Sequence, residues 1–144
     1  MTQQTPDPAF INDFNEKIIA EFRANDGKVG GQFADANLLL LHTTGAKSGQ
    51  PRTSPLAYFH IDDRLIIIGS FAGAPKDPAW VHNLRANPQA RVEIGTDAFN
   101  VAARELPADD RAALFDKITA VAPGFAEYQA KTTRVIPLFE LNRT

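Results

Sequence analysis

The densest chemistry in the chain lies in one run, Thr43-Thr44-Gly45-Ala46-Lys47-Ser48-Gly49-Gln50-Pro51-Arg52. Lys47 offers a point charge, Ser48 a hydroxyl and Arg52 a bidentate fork, a set that suits a phosphate or a carboxylate. Two glycines let the backbone turn sharply and approach a ligand, and such a turn leaves N–H groups free to form an anion-binding concavity. A solvated hairpin turn that is merely basic is the competing reading. A nucleotide-hydrolase phosphate loop is excluded, because Ala46 and Leu41 stand where that loop needs glycine and no helix follows.

A second segment, from Gly69 through Trp80 to Leu84, leaves a strand with small residues and enters a helix. Its helix start favours an anionic or electron-rich group. Trp80 shares an apolar face with Leu84, which reads as core packing. His42, His60 and His82 are far apart and lack ligand spacing, so they read as structural histidines and no metal site is expected. No Gly-x-Ser-x-Gly elbow supports a serine hydrolase. Asp109-Asp110 opens a helix and serves its dipole. Chemistry of this kind, without a nucleophile or metal, is what a protein needs when a bound organic cofactor performs the reaction.

The elements that must position these residues follow from periodicity. Phe10, Ile11, Phe14, Ile18, Ile19 and Phe22 fall at helical spacing over 8–24. Further helices are expected at 78–86, with Asp77 as N-cap, and at 107–121, with Leu114, Phe115, Ile118 and Val121 on one face. Strands are expected at 38–44, 53–60, 64–70, 91–94, 98–105 and 135–141. Short turns at Asp62-Asp63 and Gly95-Thr96-Asp97 argue for antiparallel pairing. The fold class is therefore mainly β (α+β): six antiparallel strands in a small closed or partly closed barrel, helices outside. Residues 1–9 are expected to form a flexible N-terminus and 10–144 a single domain.

Composition limits the partners. The chain has 144 residues, 44% hydrophobic, with 15 Lys+Arg against 17 Asp+Glu and no cysteine. The absence of thiols excludes disulfides, thiolate nucleophiles and thiolate metal sites. The slight acidity argues against nucleic acid, which needs a basic surface. No signal peptide is read at the N-terminus, and the longest aliphatic runs are four residues, against the roughly 20 that span a bilayer. A cytoplasmic protein is expected. The helix at 8–24 leaves contact with a membrane surface or a second subunit open, as it leaves monomer or homodimer, although its mixed charges lack the basic face that anionic lipid prefers.

Several separated motifs then agree in order and spacing: the run from Leu39 to Arg52, Pro55-Leu56, Gly73-Ala74, Pro78, Trp80, Asn83-Leu84-Arg85-Ala86-Asn87-Pro88, Tyr128-Gln129 and Thr133-Arg134-Val135-Ile136-Pro137. Together they resemble the deazaflavin-dependent nitroreductase family of actinobacteria. The resemblance implies a split β-barrel that binds coenzyme F420, an 8-hydroxy-5-deazaflavin with a long anionic phospholactyl-glutamate tail. It implies that Ala46, Lys47, Ser48, Arg52, Thr53, Ser54, Pro55, Leu56 and Ala57 hold the phosphate and tail. It implies that Ile68, Gly69, Ser70, Phe71, Ala79, Trp80, Val81, His82 and Asn83 line the ring.

The implied reaction is hydride transfer from C5 of the reduced deazaflavin to an electrophilic small-molecule acceptor, a quinone, an enone or a nitroaromatic. Tyr128 is the candidate acceptor contact or proton donor; a phenol is a weak acid at neutral pH, so solvent is the alternative source. Relatives often carry Lys where this chain has Phe71, an aromatic at Ala57 and tyrosines at Ala122 and Phe125, which implies a different acceptor preference. Two other functions stay open: an FMN-binding reductase on a related barrel, and a non-catalytic F420 carrier.

Overall fold

The computed structural model describes residues 8–25, 27, 37–70 and 76–144. In chain order the elements are α1 (Pro8–Ala24), β1 (Leu38–Thr44), β2 (Pro51–Ile61), β3 (Arg64–Ile68), α2 (Ala79–Ala86), β4 (Gln89–Ile94), β5 (Asp97–Glu105), α3 (Ala108–Val121), α4 (Gly124–Ala130) and β6 (Leu138–Arg143). All strand pairs are antiparallel and close a barrel in the order β1-β2-β3-β6-β5-β4. Of the expected N-terminal tail, only Pro8 and Ala9 lie among the described residues, and they open α1.

Two-residue turns set the registers. Asp62 and Asp63 both have positive φ (54° and 62°), the type I′ pattern whose twist matches the strands it joins. In the β4–β5 turn only Gly95 has positive φ (60°), so Ile94 faces Asp97 across a type II′-like turn, one residue tighter than expected.

Alternation then sorts side chains into two cores. Leu39, Leu41, Leu65, Ile67, Val92, Val101, Phe139 and Leu141 fill the barrel, and Trp80, Val81 and Leu84 of α2 plug one end of it. Outside, α3 and α4 cover Ile66, Ile68 and Leu138 with Leu114, Phe115, Ile118, Phe125 and Tyr128. On the neighbouring outer face, Ile18 and Phe22 of α1 bury Leu38 and Leu40. The side chains of Phe10, Ile11 and Phe14 lie outside the described residues.

Four expectations are corrected. α2 is capped at Pro78 without a side-chain bond, because the Asp77 carboxylate is drawn to Arg134 (2.8 Å) and Arg85 (3.1 Å) instead of to the helix amides. Val121 is 72% exposed: it is the last residue of α3, and the chain turns away into α4 there. α4, seven residues long, was not expected as a helix. Finally, β6 pairs only from Leu138, because Ile136 N–H donates to Gln129 Oε1 (3.0 Å) and Pro137 has no N–H.

Candidate functional site

The basic turn between β1 and β2 is braced from within and from α2. Gly45 N–H donates to Gln50 O (2.8 Å), Gly49 N–H to Gly45 O (3.0 Å) and Gln50 N–H to Ser48 Oγ (3.2 Å). Asn83, 6% exposed, ties the turn to α2: its Oδ1 accepts from Ala46 N–H (2.9 Å) and its Nδ2 donates to Thr43 Oγ1 (3.1 Å). The expected concavity of free amides is thereby narrowed. Four amides of the turn already have acceptors, whereas those of Lys47 and Ser48 have none among the described residues.

The two cations of the turn have no carboxylate partner. Among the described residues Arg23, Arg64, Arg85, Arg104, Lys117 and Arg134 pair with carboxylates, whereas Lys47 and Arg52 are exposed and, like Lys76, Arg91, Lys131 and Arg143, pair with none; what sets Lys47 and Arg52 apart is that one turn brings them together. In an acidic chain, cations left uncompensated at one turn make a local positive field suited to an anion.

Beside this turn the barrel is parted. β3 pairs only with the last four residues of β2, Tyr58 to Ile61, although β2 begins at Pro51. Continuing that register would set Ser70 opposite Pro55. Gly69 N–H continues the ladder toward β6 by donating to Pro137 O (2.9 Å), while Arg134 donates to Gly69 O (3.1 Å), Asp77 (2.8 Å) and Ser70 O (2.9 Å), the last a carbonyl that the continued register would aim at β2, so the exit of β3 is turned from β2 at Ser70. Gly69 has no room for a side chain there, since a Cβ would lie 2.8 Å from Val81 Cγ2 and 2.9 Å from Pro137 Cγ.

The strand edge exposed by this divergence has a definite chemistry. Tyr58 N–H donates to Asn37 O on the β1 side (3.0 Å), so by alternation Arg52, Ser54 and Leu56 also point their amides to β1. The amides of Thr53 and Ala57 therefore face the open seam. Pro51 and Pro55 fall on the same side and have no N–H to leave unpaired, the placement that edge prolines favour.

Arg134, which opens the seam, is itself held from α4. Gln129 Nε2 donates to Arg134 O (2.7 Å), and Gln129 Oε1 accepts from Arg111 (2.8 Å), which also donates to Ile136 O (3.0 Å). Tyr128, next to Gln129, is half-buried edge-on to Phe125 and belongs to the outer apolar cluster that includes Ile68. The sequence reading missed Arg134 and Gln129 as site-building residues; each acts on backbone groups that only the fold brings near.

The residues implied by the resemblance divide by side-chain direction. Thr53, Pro55 and Ala57 lie on the outer face of β2, whereas Leu56 packs into the barrel and Ser54 pairs with Leu41 on the inner side. Trp80 is 4% exposed and edge-on to Phe139, and Val81 is fully buried, so both pack the barrel core. Ala79 and His82 are exposed on the outer side of α2; Ile68 and Ser70 are buried at the seam. Phe71 lies outside the described residues.

The remaining charge clusters are self-satisfied. At the far end of the barrel a shallow depression contains Arg64 and Glu140, but Arg64 binds Glu140 (2.6 Å) and, with both terminal nitrogens, Asp110 (2.9 and 2.8 Å). Hydrogen bonds to those two carboxylates push the Arg64 pKa up, and the Arg64 bond holds Asp110 below the usual carboxylate range. Asp110 thus does more than complement a helix dipole. Glu105 is lowered by its hydrogen bond from Arg85. Burial pushes Glu93 and Glu140 up, but hydrogen bonds from Arg23 and His42 on one and from Arg64 and Arg104 on the other outweigh it and lower both. His42, expected to be structural, bridges Thr53 and Glu93. No group of three or more His, Asp or Glu side chains among the described residues is placed to hold a metal.

A braced cationic turn beside a parted strand edge could hold an elongated anionic ligand, and comparison with known proteins gives the family. The profile of the F420H2-dependent quinone reductases matches residues 16–142. The chain belongs to the F420H2-dependent quinone reductase family. An F420H2-dependent quinone reductase of Mycobacterium tuberculosis (strain ATCC 25618 / H37Rv) is 40% identical over 128 residues, 86% of each chain. A solved F420-H2 dependent reductase is 36% identical with TM-score 0.66, covering 74% of this chain and 94% of its own. A second solved structure, described as a domain-swapped dimer, is 33% identical with TM-score 0.67 over 94% of this chain and 100% of its own. As a member of the F420H2-dependent quinone reductases this chain is an oxidoreductase with coenzyme F420 as its cofactor, in agreement with the motif resemblance. No helix among the described residues is long and apolar enough to cross a membrane.

Proposed function

We propose that the seam between β2 and the exit of β3, together with the turn at 45–50, is where this chain holds reduced F420, and that its acceptor is a quinone or a similar electrophile. The observation that carries this reading is the pair Lys47 and Arg52, cations without carboxylate partners at the end of an unpaired strand edge. These residues fit the cofactor. A tail of phosphate and carboxylates needs fixed positive charge along a groove, and the edge amides of Thr53 and Ala57 extend the donor set. When bound, reduced F420 supplies the hydride that the acceptor receives at an electrophilic atom.

The chain contributes placement and proton supply. Lys47 neutralises the tail as a point charge and Arg52 as a fork, while Asn83 keeps the turn in one conformation so that little order is lost on binding. Pro55 and Ala57 make the outer face of β2 beside the seam apolar, Ala57 packing also against α1. Reduction of a quinone to the hydroquinone consumes one hydride and one proton, and Tyr128 is this chain's proton donor at its phenolic oxygen.

Anaerobic oxidation of F420H2 tests the reading, with a soluble quinone, an enone and a nitroaromatic each as acceptor. Turnover with the quinone and none without an acceptor is the expected result; F420H2 that binds without turnover on any acceptor would make the protein a carrier. Tyr128→Phe should lower kcat about 10- to 100-fold while leaving F420 affinity within about twofold. An unchanged kcat would assign the proton to solvent.

A further inference from the structure

On the outer face of the sheet, a hydroxyl, an imidazole and a carboxylate stand in line beside the seam. Thr53 Oγ1 lies 3.0 Å from His42 Nδ1, and His42 Nε2 lies 2.5 Å from Glu93 Oε2. Glu93 is anchored in turn by Arg23 of α1 (3.1 Å). Register makes the first two residues direct cross-strand partners, and Arg91 of β4 is the other cross-strand partner of His42. Among the described residues, the charged groups that contacts and register set against the imidazole are Glu93 and Arg91 from β4 and, through Glu93, Arg23 from α1. Beneath them α1 packs with Ile18 and Phe22, while β2 offers Thr53 and prolines.

This arrangement assigns hydrogen positions by elimination. An ionised Glu93 only accepts, so the Nε2 of His42 carries a proton at every pH at which Glu93 is charged. In neutral His42 the Nδ1 is then a lone pair, and the Thr53 hydroxyl must donate to it, presenting only oxygen lone pairs outward. In protonated His42 the Nδ1–H donates to Thr53 Oγ1, and the hydroxyl proton is released to donate elsewhere. The carboxylate that fixes this order is itself kept charged, since hydrogen bonds from Arg23 and His42 hold Glu93 below its ordinary range against the effect of burial.

We propose that Thr53 is a proton-gated donor for an anionic oxygen, phosphate or carboxylate, of a ligand bound in the seam, with His42 as its switch and Glu93 as the group that sets the switch's direction. The proposal rests on the reading of the seam as the F420 site, because Thr53 lies on the stretch of β2 that β3 leaves unpaired. None of the charge pairs that build the barrel requires the hydroxyl: Thr53 bonds to His42 and His42 to Glu93, and the hydroxyl has a second bonding direction left over. Protonation also brings a positive charge toward the anion, so both effects tighten binding as pH falls, and only the first passes through the hydroxyl.

The test is a calorimetric titration of the full chain with oxidised F420, and with the deazaflavin lacking the phospholactyl-glutamate tail, at several pH values from about 5.5 to 8.5. The ring's own ionisation is common to both ligands, so the tail's contribution is the difference between them. F420 is expected to bind about tenfold more tightly at the acid end relative to the tail-less ring. Thr53→Ser should keep that dependence and Thr53→Val should diminish it to the part carried by the charge alone, while melting within a few degrees of wild type. Nitrogen NMR of His42 reads the switch without any ligand, the neutral ring being expected to carry its proton on Nε2. A neutral tautomer with the proton on Nδ1, or an undiminished pH dependence in Thr53→Val, would overturn the proposal. F420 that fails to bind wild type at every pH would instead overturn the seam reading beneath it, with the tautomer measurement still standing.

Discussion

Replacing Arg134 with alanine removes the side chain that holds the seam open. Arg134 is 15% exposed and makes charge-assisted bonds to Gly69 O, Ser70 O and Asp77, the last pairing with a carboxylate only 17% exposed. Bonds to charged groups contribute about 1.5–3 kcal/mol each in isolation, but three on one guanidinium are not additive. Breaking a largely buried pair costs about 3–5 kcal/mol; here Asp77 keeps Arg85 on its other oxygen, so the loss falls on Asp77 Oδ1 and the two carbonyls and lies toward the lower end. At about 2–4 °C per kcal/mol for a chain of this size, the melting temperature should fall by roughly 6–20 °C. Arg134→Lys should recover only part of the loss, since a point charge cannot reach three acceptors in the planar arrangement that the guanidinium serves. Thermal unfolding by circular dichroism gives the first number, and F420 titration well below the transition gives the second, an affinity loss in both variants. A melting temperature within about 2 °C of wild type, with unchanged F420 affinity, would refute the claim that Arg134 shapes the seam.

Other consequences follow from the same contacts. Asn83→Ala removes two hydrogen bonds, about 2 kcal/mol together, so melting should drop by about 4–8 °C. F420 affinity should fall about fivefold or more as the turn regains roughly one residue's worth of backbone freedom; Thr43→Val, which deletes only the lesser contact, should cost about half as much stability. Acid should unfold the protein through Glu93, Glu105, Asp110 and Glu140, whose folded pKa values all lie below their ordinary ones. The unfolded chain then binds more protons, so their stabilisation is full above the unfolded carboxylate values near 4–4.5 and is lost as pH falls through the folded ones. Melting temperatures from pH 7 to pH 3 should stay level to about pH 5 and then decline; a level profile down to pH 3 would contradict the assignment of these pairs.

What could be read from residues alone was local. The bounds of β1, 38–44, and of α1, 8–24, agree with the structure because a run of leucines and a 3.6-residue apolar stripe each carry their own signal. The cationic turn was legible for the same reason, as was Trp80 as a core residue. Nonlocal bonds explain the failures. Asp77 reads as an N-cap until arginines 8 and 57 residues away claim it. Strand 3 reads as running to Ser70 until Arg134, 64 residues on, takes that carbonyl. α4 is too short for periodicity, although Pro123 with Phe125 and Tyr128 three apart is the signal that would have found it. Within the site, the implied block from Arg52 to Ala57 could have been divided by strand alternation, which sends Leu56 inward and Thr53, Pro55 and Ala57 outward.

The central claim, that the turn and seam receive the anionic tail of F420, is tested most directly by one titration calorimetry series in which wild type and Lys47→Ala are each loaded with F420 and with FMN. Wild type should bind F420 at least about tenfold more tightly than FMN. Losing the unpaired cation should weaken F420 by about 1–3 kcal/mol, or roughly 5- to 150-fold. FMN bound as tightly as F420, or F420 affinity unchanged in Lys47→Ala, would contradict it.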